Sequence, residues 1–143
     1  MYTLSLYGWG SGRHWTNRWM KIHGQRLSHV TLRVFNNRTQ DWMLHCDTKK
    51  CIWIETGKLR RMYKDLFTLK EVIPIGTSDT FLPLITEPFS ALDTIIWYYG
   101  ARFFAPKWRP RTCLKACQDV AAWHGISLPD TNFIDKTFDL LRG

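Results

Sequence analysis

Three short runs typical of β-strands constrain the fold of this chain most strongly. The best defined of them, residues 28–35, alternates between apolar and polar side chains, as a β-strand with one apolar face does. Two further runs, residues 41–46 and 51–55, follow it after short polar turns. Because strands joined by short turns pair in opposite directions, the three runs predict an antiparallel meander. The apolar side chains of the first strand are Val30, Leu32 and Val34.

The remaining segments predict a helix before the meander and further helices after it in the chain, and so an α+β fold in a single domain, residues 1–143. Periodicity and turn residues predict strands at 3–7 and 65–75, a glycine loop at 8–12, a short basic turn or helix at 57–63, a loop at 77–90, and helices at 14–22, 90–103, 113–124 and 130–141. The apolar face predicted for helix 14–22 is Trp15, Trp19 and Ile22. For helix 90–103, the predicted buried stripe is Leu92, Ile95, Ile96 and Tyr99.

Composition limits the class of protein. A chain of 143 residues can bury a core without disulfides or metal ions. The longest apolar run, near residues 92–104, contains Asp93 and Arg102, so we expect no stable membrane insertion. Gly8, Gly10 and Arg13 come too early for the apolar segment of a secretory signal. We therefore expect a protein that is cytoplasmic at synthesis.

The net charge of +8 is unevenly distributed. Residues 1–40 contain six Lys or Arg and no acid, and residues 101–118 contain five and no acid. Such segments favour an anionic partner, which would be nucleic acid, an anionic cell-wall polymer or a lipid surface. The alternative is that these charges serve solubility and favour a thiolate nearby.

The stretch from Arg109 to Gly125 carries the clearest chemical signal. Thr112 is a good N-cap, which places Cys113 on the first turn of a helix. Free N–H groups and the positive end of the helix dipole favour a thiolate there, and so predict a lowered pKa. Four cations surround it in the sequence: Lys107, Arg109, Arg111 and Lys115. Cys113 is therefore the best candidate nucleophile, although a buried, inert cysteine is the alternative.

Two other classes of function remain open. His45 and the four cysteines at 46, 51, 113 and 117 contain the elements of a zinc site, but their Cys-x4-Cys and Cys-x3-Cys spacings lack the usual Cys-x2-Cys motif. We therefore expect free thiols and no metal. Basic residues interleaved with Trp15, Trp19 and Trp108 would suit a non-catalytic protein that binds nucleic acid or a host protein.

Several of these segments together resemble a known superfamily. Ser11-Gly12, an amphipathic helix, Gly24, and Ser28-His29-Val30 opening a strand resemble the N-terminal half of circularly permuted papain-like hydrolases of the NlpC type. A second strand bearing His45, an aromatic-rich helix and the Thr112-Cys113-Leu114 helix start continue the resemblance, which covers roughly residues 11–141. It implies a permuted papain-like fold with an antiparallel sheet packed against a cysteine-bearing helix. Many chains of this type are phage-encoded, so the host cytoplasm or a phage particle is an expected location.

The resemblance also implies a function. A cysteine peptidase or amidase of this type uses Cys113 as nucleophile and His29 as general base, with His45 as the third residue. Asp47 or Glu55 are the alternatives for that third position. Thr112 stands where the family often has Asn. The implied substrate is a peptide, an isopeptide, a cell-wall peptide or an ester, and the chemistry requires no cofactor.

Overall fold

A five-stranded antiparallel sheet forms the centre of the computed structural model, which describes residues 1–37 and 39–143. Its strand order is β4-β3-β2-β1-β5. The elements in chain order are β1 (Tyr2–Gly10), α1 (Trp15–Ile22), β2 (His29–Asn36), β3 (Gln40–Cys46), β4 (Cys51–Glu55), α2 (Thr56–Tyr63), β5 (Thr68–Ser78), α3 (Ala91–Ile96), a π-helical turn (Trp97–Ala101), α4 (Arg102–Phe104), α5 (Cys113–Trp123) and α6 (Ile134–Arg142). None of the described helices is long and apolar enough to cross a membrane.

The predicted meander is confirmed as β2, β3 and β4. Arg33 pairs with Met43 across β2 and β3, and Leu44 pairs with Trp53 across β3 and β4. The apolar side of β2 is fully buried, as its alternation predicts. The other side of the strand is also covered, so His29 and Thr31 are buried as well.

Strand β1 extends beyond its predicted end and lies between β2 and β5. The predicted glycine loop is therefore wrong at Gly8 and Gly10, which belong to the strand. Close packing explains both glycines. A Cβ at Gly8 would lie 2.9 Å from the Leu27 side chain, and one at Gly10 would lie 2.6 Å from the carbonyl oxygen of Arg26.

Helices cover both faces of the sheet. Buried residues of β1 and β2 such as Leu6 and Leu32 pack with α5 and α6 in one core cluster, which includes Cys113 and Phe138. On the opposite face, Tyr7, Trp9 and Met43 pack with α2 and the segment after it in a second cluster. Because β2 contributes to both faces, its side chains reach two different environments from one strand.

The apolar face predicted for α1 is wrong. Trp15 and Ile22 are exposed, whereas Asn17 and Met20 are buried. Asn17 is held inside by hydrogen bonds: its amide nitrogen donates to the carbonyl of Leu66 at 2.8 Å, and its amide oxygen accepts from the hydroxyl of Ser28. A polar residue with satisfied hydrogen bonds has thus taken a position that hydrophobicity alone assigns to solvent.

The buried stripe predicted after residue 90 is also wrong. Ser90 is the N-cap of α3, and its hydroxyl accepts a hydrogen bond from the N–H of Asp93 at 3.1 Å. Yet the four predicted stripe residues are exposed, Leu92 at 66% and Tyr99 at 64%. The helix instead buries Trp97 and Tyr98 in its π-helical turn, where they pack against Met20 and Phe133.

The predicted start of α5 is confirmed, whereas the predicted start of α6 is wrong by four residues. Helix α5 begins at Cys113, and the Thr112 hydroxyl accepts from the N–H of Lys115 at 3.1 Å. The last helix begins at Ile134 rather than at residue 130.

Gly12 provides a test of the chain path beside the sheet. It has a φ of 112°, and a Cβ there would lie 2.4 Å from the carbonyl oxygen of Leu66. We expect Gly12→Ala to lower the free energy of unfolding in urea by about 3 kcal/mol, because strain and a steric clash add. Gly24→Ala is the matched control: its φ is 77° with open space around it, and its expected cost is about 1 kcal/mol. Equal costs would contradict the close approach at Gly12.

Candidate active site

A cavity of about 450 Å³ lies at the end of the sheet where β2 begins and β3 ends. Three of the side chains bordering it are the ones that sequence analysis selects: Cys113, His29 and His45. Asp47, one of the two alternatives, borders it as well. Glu55, the other alternative, is exposed at the start of α2 and does not line the cavity. The fold therefore brings together one cysteine, two histidines and one carboxylate from separate elements.

The two histidines do not contact each other directly but through Tyr63, the last residue of α2. The Tyr63 hydroxyl lies 2.8 Å from Nε2 of His29 and 2.7 Å from Nδ1 of His45. The second ring nitrogen of His45, Nε2, lies 2.9 Å from Oδ2 of Asp47. The hydrogen bonds thus form a single chain from Asp47 through His45 and Tyr63 to His29.

Asp47 determines which group donates and which accepts in each of these hydrogen bonds. The carboxylate of Asp47 only accepts hydrogen bonds, so Nε2 of His45 must donate. Nδ1 of a neutral His45 is then an acceptor, and the Tyr63 hydroxyl donates to it. The same hydroxyl oxygen accepts from Nε2–H of His29, which leaves Nδ1 of His29 unprotonated. The arrangement therefore selects the tautomer of His29 whose free lone pair is on Nδ1.

Burial and hydrogen bonding determine the charge states of the side chains that these hydrogen bonds connect. Burial is the main cause that lowers the pKa of His29 to about 3, with the neighbouring His45 acting in the same direction. Burial likewise raises the pKa of Tyr63 well above its usual value, so the phenol keeps its proton. For Asp47, burial would raise the pKa, but hydrogen bonds from the N–H groups of Lys49 and Lys50 and from His45 lower it overall.

The ring of His29 is also held by packing. It stacks on Phe67 with centroids 4.8 Å apart and an interplanar angle of 17°. Phe67 stacks in the same manner on His14, at 4.9 Å and 27°. His14 borders the cavity as the N-cap of α1, where its Nδ1 accepts from the N–H of Thr16.

Cys113 has the predicted place on the helix but not the predicted ionisation. The side chain is buried, with 7% of the residue exposed. Burial raises the pKa of its thiol to about 11 and outweighs the opposing N–H groups of Val30, Leu114 and Cys113 itself. Within the described residues, the thiol forms no hydrogen bond with either imidazole. The expectation of a lowered pKa is therefore wrong for the resting state, in which Cys113 and His29 are both neutral.

Three of the four basic residues near Cys113 in the sequence form ion pairs with carboxylates. Arg111 pairs with Asp93 at 3.0 Å, and Lys115 pairs with Asp119 at 2.9 Å. Arg109 pairs with Asp130. Because a carboxylate neutralises each of these cations, little positive field reaches the thiol, and burial dominates its pKa.

Tyr63 is the functional candidate that sequence analysis missed. In the sequence it follows Leu59 by one helical turn, a pattern that indicates core packing, and both residues are indeed buried. Only the position of α2 over His29 and His45 reveals its hydroxyl as a bridge. No motif or spacing in the sequence links Tyr63 to His29 or His45, which lie 34 and 18 residues before it.

The four cysteines are all buried free thiols. Cys46 and Cys51 face each other across β3 and β4, and Cys117 lies one turn after Cys113 in the core. Among residues 1–37 and 39–143, no three His, Cys, Asp or Glu side chains are placed so that they could hold a metal ion.

Comparison of the chain with protein families, with curated proteins and with solved structures finds no match. The residues and the geometry of the cavity are thus what bears on function.

The buried, neutral state of His29 predicts a pH dependence of stability. The pKa of His29 is about 3 in the folded protein against an ordinary value of 6.5, so the unfolded state binds the extra proton between these values. Stability must then fall as the pH falls, by about 1.4 kcal/mol per pH unit between about pH 6 and 4. In His29→Gln, chemical denaturation should show a slope smaller by this amount. Equal slopes for the variant and the wild type would contradict a buried neutral imidazole.

Proposed function

We propose that the protein is a cysteine hydrolase that cleaves an amide, isopeptide or ester bond, with Cys113 as nucleophile and His29 as general base. One observation carries this proposal: a cysteine at a helix N-terminus opens into the same cavity as a histidine whose tautomer is fixed by three further groups. A nucleophile, a base and an orienting group are the components of acyl transfer by covalent catalysis.

The chain order of these residues supports a permuted papain-like architecture of the NlpC type. His29 at the start of β2 and His45 near the end of β3 precede Cys113 at the start of α5, and α5 packs on one face of the antiparallel sheet. In that architecture, a polar group beside the base orients its ring. Tyr63 occupies this position here, and His45 and Asp47 act through it.

The acylation step follows from the neutral resting state. Sγ of Cys113 attacks the carbonyl carbon while its proton moves to Nδ1 of His29, and the C=O π electrons move to the oxygen. When the C=O bond re-forms, the bond to the leaving nitrogen or oxygen breaks. The leaving atom takes the proton from Nδ1. The products of this step are a thioester on Cys113 and the released amine or alcohol.

Hydrolysis of the thioester reverses these roles. A water molecule gives a proton to Nδ1 of His29 as its oxygen attacks the thioester carbon. The sulfur then leaves and recovers that proton, which releases a carboxylic acid and restores the neutral pair. No cofactor takes part in either step.

The helix N-terminus supplies electrostatic stabilisation. The N–H groups of Cys113 and Leu114 lie in the first turn of α5, where no carbonyl of the helix accepts from them. Both act on the Cys113 sulfur and favour its charged form. These donors would stabilise negative charge that develops at the sulfur, and at the substrate oxygen beside it, during the reaction.

The substrate class that the site accommodates is a peptide, an isopeptide, a cell-wall peptide or an ester. Four exposed cations on and next to α2 lie close to the cavity, since Met62 and Tyr63 of the same helix line it. They are Lys58, Arg60, Arg61 and Lys64, and none of them forms an ion pair within the part of the chain that the structure describes. An anionic group on the substrate would bind there, more weakly as the salt concentration rises.

Acylation by a reactive ester tests the proposed function directly. On reaction with p-nitrophenyl acetate, we expect a burst of p-nitrophenol and one acetyl group on the tryptic peptide that contains Cys113. The burst should vanish in Cys113→Ser and persist in Cys117→Ala, the matched control one turn along the same helix. His29→Gln should slow the burst about 100-fold or more, because the proton acceptor is lost. Acetylation that is equal in all four proteins would contradict the proposal.

The second candidate function is non-catalytic binding of an anionic polymer on the same fold. Two observations favour it: the resting thiol of Cys113 is buried and neutral, and the cations of α2 are unpaired among the described residues. A protein of this kind would use the basic helix α2 and would have no need of the cysteine.

Nucleic-acid binding distinguishes this candidate. If it holds, an oligonucleotide should bind with a log–log salt slope of about −0.9 for each phosphate contacted. The double variant Arg60→Ala/Arg61→Ala should reduce that slope by about two, while Cys113→Ser should leave it unchanged. A slope unaffected by the loss of both arginines would reject α2 as the binding surface.

A further inference from the structure

A second cavity of about 150 Å³ also borders Cys113, and neither His29 nor His45 is among its lining residues. It lies between α1, α3 and the start of α5. The two cavities share Trp15, Thr16, Ser28, Phe89 and Cys113, but only the first is lined by His29 and His45. Its walls are largely carbon. They include Trp19, Met20, Ile95, Tyr98, Leu114 and Ile134.

The hydroxyl groups in these walls already have partners within the protein. Thr94 donates to the carbonyl of Ser90 at 2.9 Å, and Thr112 accepts from the N–H of Lys115 at 3.1 Å. Ser28 donates to the side chain of Asn17, and the Tyr98 hydroxyl contacts the sulfur of Met20 at 3.9 Å. Apart from the amide of Asn132, which also lines the cavity, a guest is therefore offered carbon surface rather than hydrogen-bonding groups.

The two cavities divide the substrate between them. His29 protonates the leaving group in the proposed mechanism, so the leaving group occupies the first cavity, next to His29. The part of the substrate attached to the carbonyl carbon must then extend to the other side of Cys113, into the second cavity.

We propose that the second cavity binds the aliphatic chain of the acyl group that Cys113 attacks. This inference rests on the proposed hydrolase function and adds a substrate class to it. The volume is that of a cavity that takes up benzene, so the chain that fills it has about six carbons. An extended peptide fits less well, because each of its backbone groups would need a partner, and the hydroxyl groups of these walls are already engaged, which leaves the amide of Asn132.

A series of p-nitrophenyl esters from acetyl to decanoyl tests the inference. Each added methylene removed from water contributes about 0.8 kcal/mol, so the acylation rate constant over Kd should rise about fourfold per methylene. The rise should stop at about six carbons. A flat profile, with acetylation of Cys113 still present, would overturn the inference while leaving the proposed function intact.

Helix α3 offers a matched pair of variants. Ala91 is half-buried and lines the cavity, while its neighbour Leu92 is exposed and does not. Ala91→Phe should fill the cavity and abolish the preference for hexanoyl over acetyl, which is measured as the ratio of the two rates within the same protein. Leu92→Phe places the same ring on the surface and should keep the preference. Loss of the preference in both variants, or in neither, would contradict the assigned position.

A binding measurement separates the two proposals. Hexanamide should shift the NMR signal of the Trp19 indole in the wild type but not in Ala91→Phe, and acetamide should shift neither. Hexanamide binding without any acylation of Cys113 would support the aliphatic site and reject the hydrolase. Faster acylation by the p-nitrophenyl ester of N-acetyl-leucine than by the hexanoyl ester would overturn the aliphatic chain in favour of a peptide side chain.

Discussion

The hydroxyl group of Tyr63, hydrogen bonded to two imidazoles at once, is the interaction on which the candidate site depends. A neutral phenol has one proton to donate, so the hydroxyl must accept from one histidine and donate to the other. Asp47 decides which, because its carboxylate requires a donor on His45. Asp47 thereby acts on His29 through two intervening groups, and the lone pair of His29 is left on Nδ1.

Burial keeps both Cys113 and His29 uncharged in the resting protein. A buried imidazole and a buried thiol both resist charge, so the resting pair holds its protons as neutral groups. An ion pair between thiolate and imidazolium, which an exposed helix N-terminus would favour, is not the ground state here. Proton transfer must therefore accompany the attack on the substrate, and an imidazole already in the right tautomer removes one obstacle to it.

Local patterns in the sequence predicted the elements of this fold and several residues of the site. The alternation of β2 and the N-cap at Thr112 depend on neighbours within a few residues, and both are confirmed. The shift in the pKa of Cys113 was predicted with the wrong sign because burial depends on the tertiary fold. The pairing of its basic neighbours with Asp93 and Asp119 also depends on the tertiary fold. The buried stripe predicted at Leu92 is wrong for a similar reason. The rest of the protein packs against Trp97 and Tyr98 in the π-helical turn that follows α3, and not against the exposed face of α3.

The bridging role of Tyr63 could not be predicted at all from periodicity. Its spacing from Leu59 describes a core residue correctly and says nothing about where the hydroxyl points. Only the packing of α2 across the ends of β2 and β3 places that oxygen between two rings. His29 and His45 were selected as candidates because each lies on a predicted strand and the family resemblance points to both, whereas Tyr63 lacks both signals.

The tautomers of the two histidines test the central claim most directly. Nitrogen-15 NMR of histidine-labelled protein at neutral pH distinguishes protonated from unprotonated ring nitrogens. The account predicts that His29 and His45 both carry their proton on Nε2, and that Asp47→Asn disturbs the pattern at both rings. A proton on Nδ1 of His29 in the wild type would mean that the chain of hydrogen bonds runs in the opposite direction. His29 would then have no lone pair available for the Cys113 proton, and the account would be wrong.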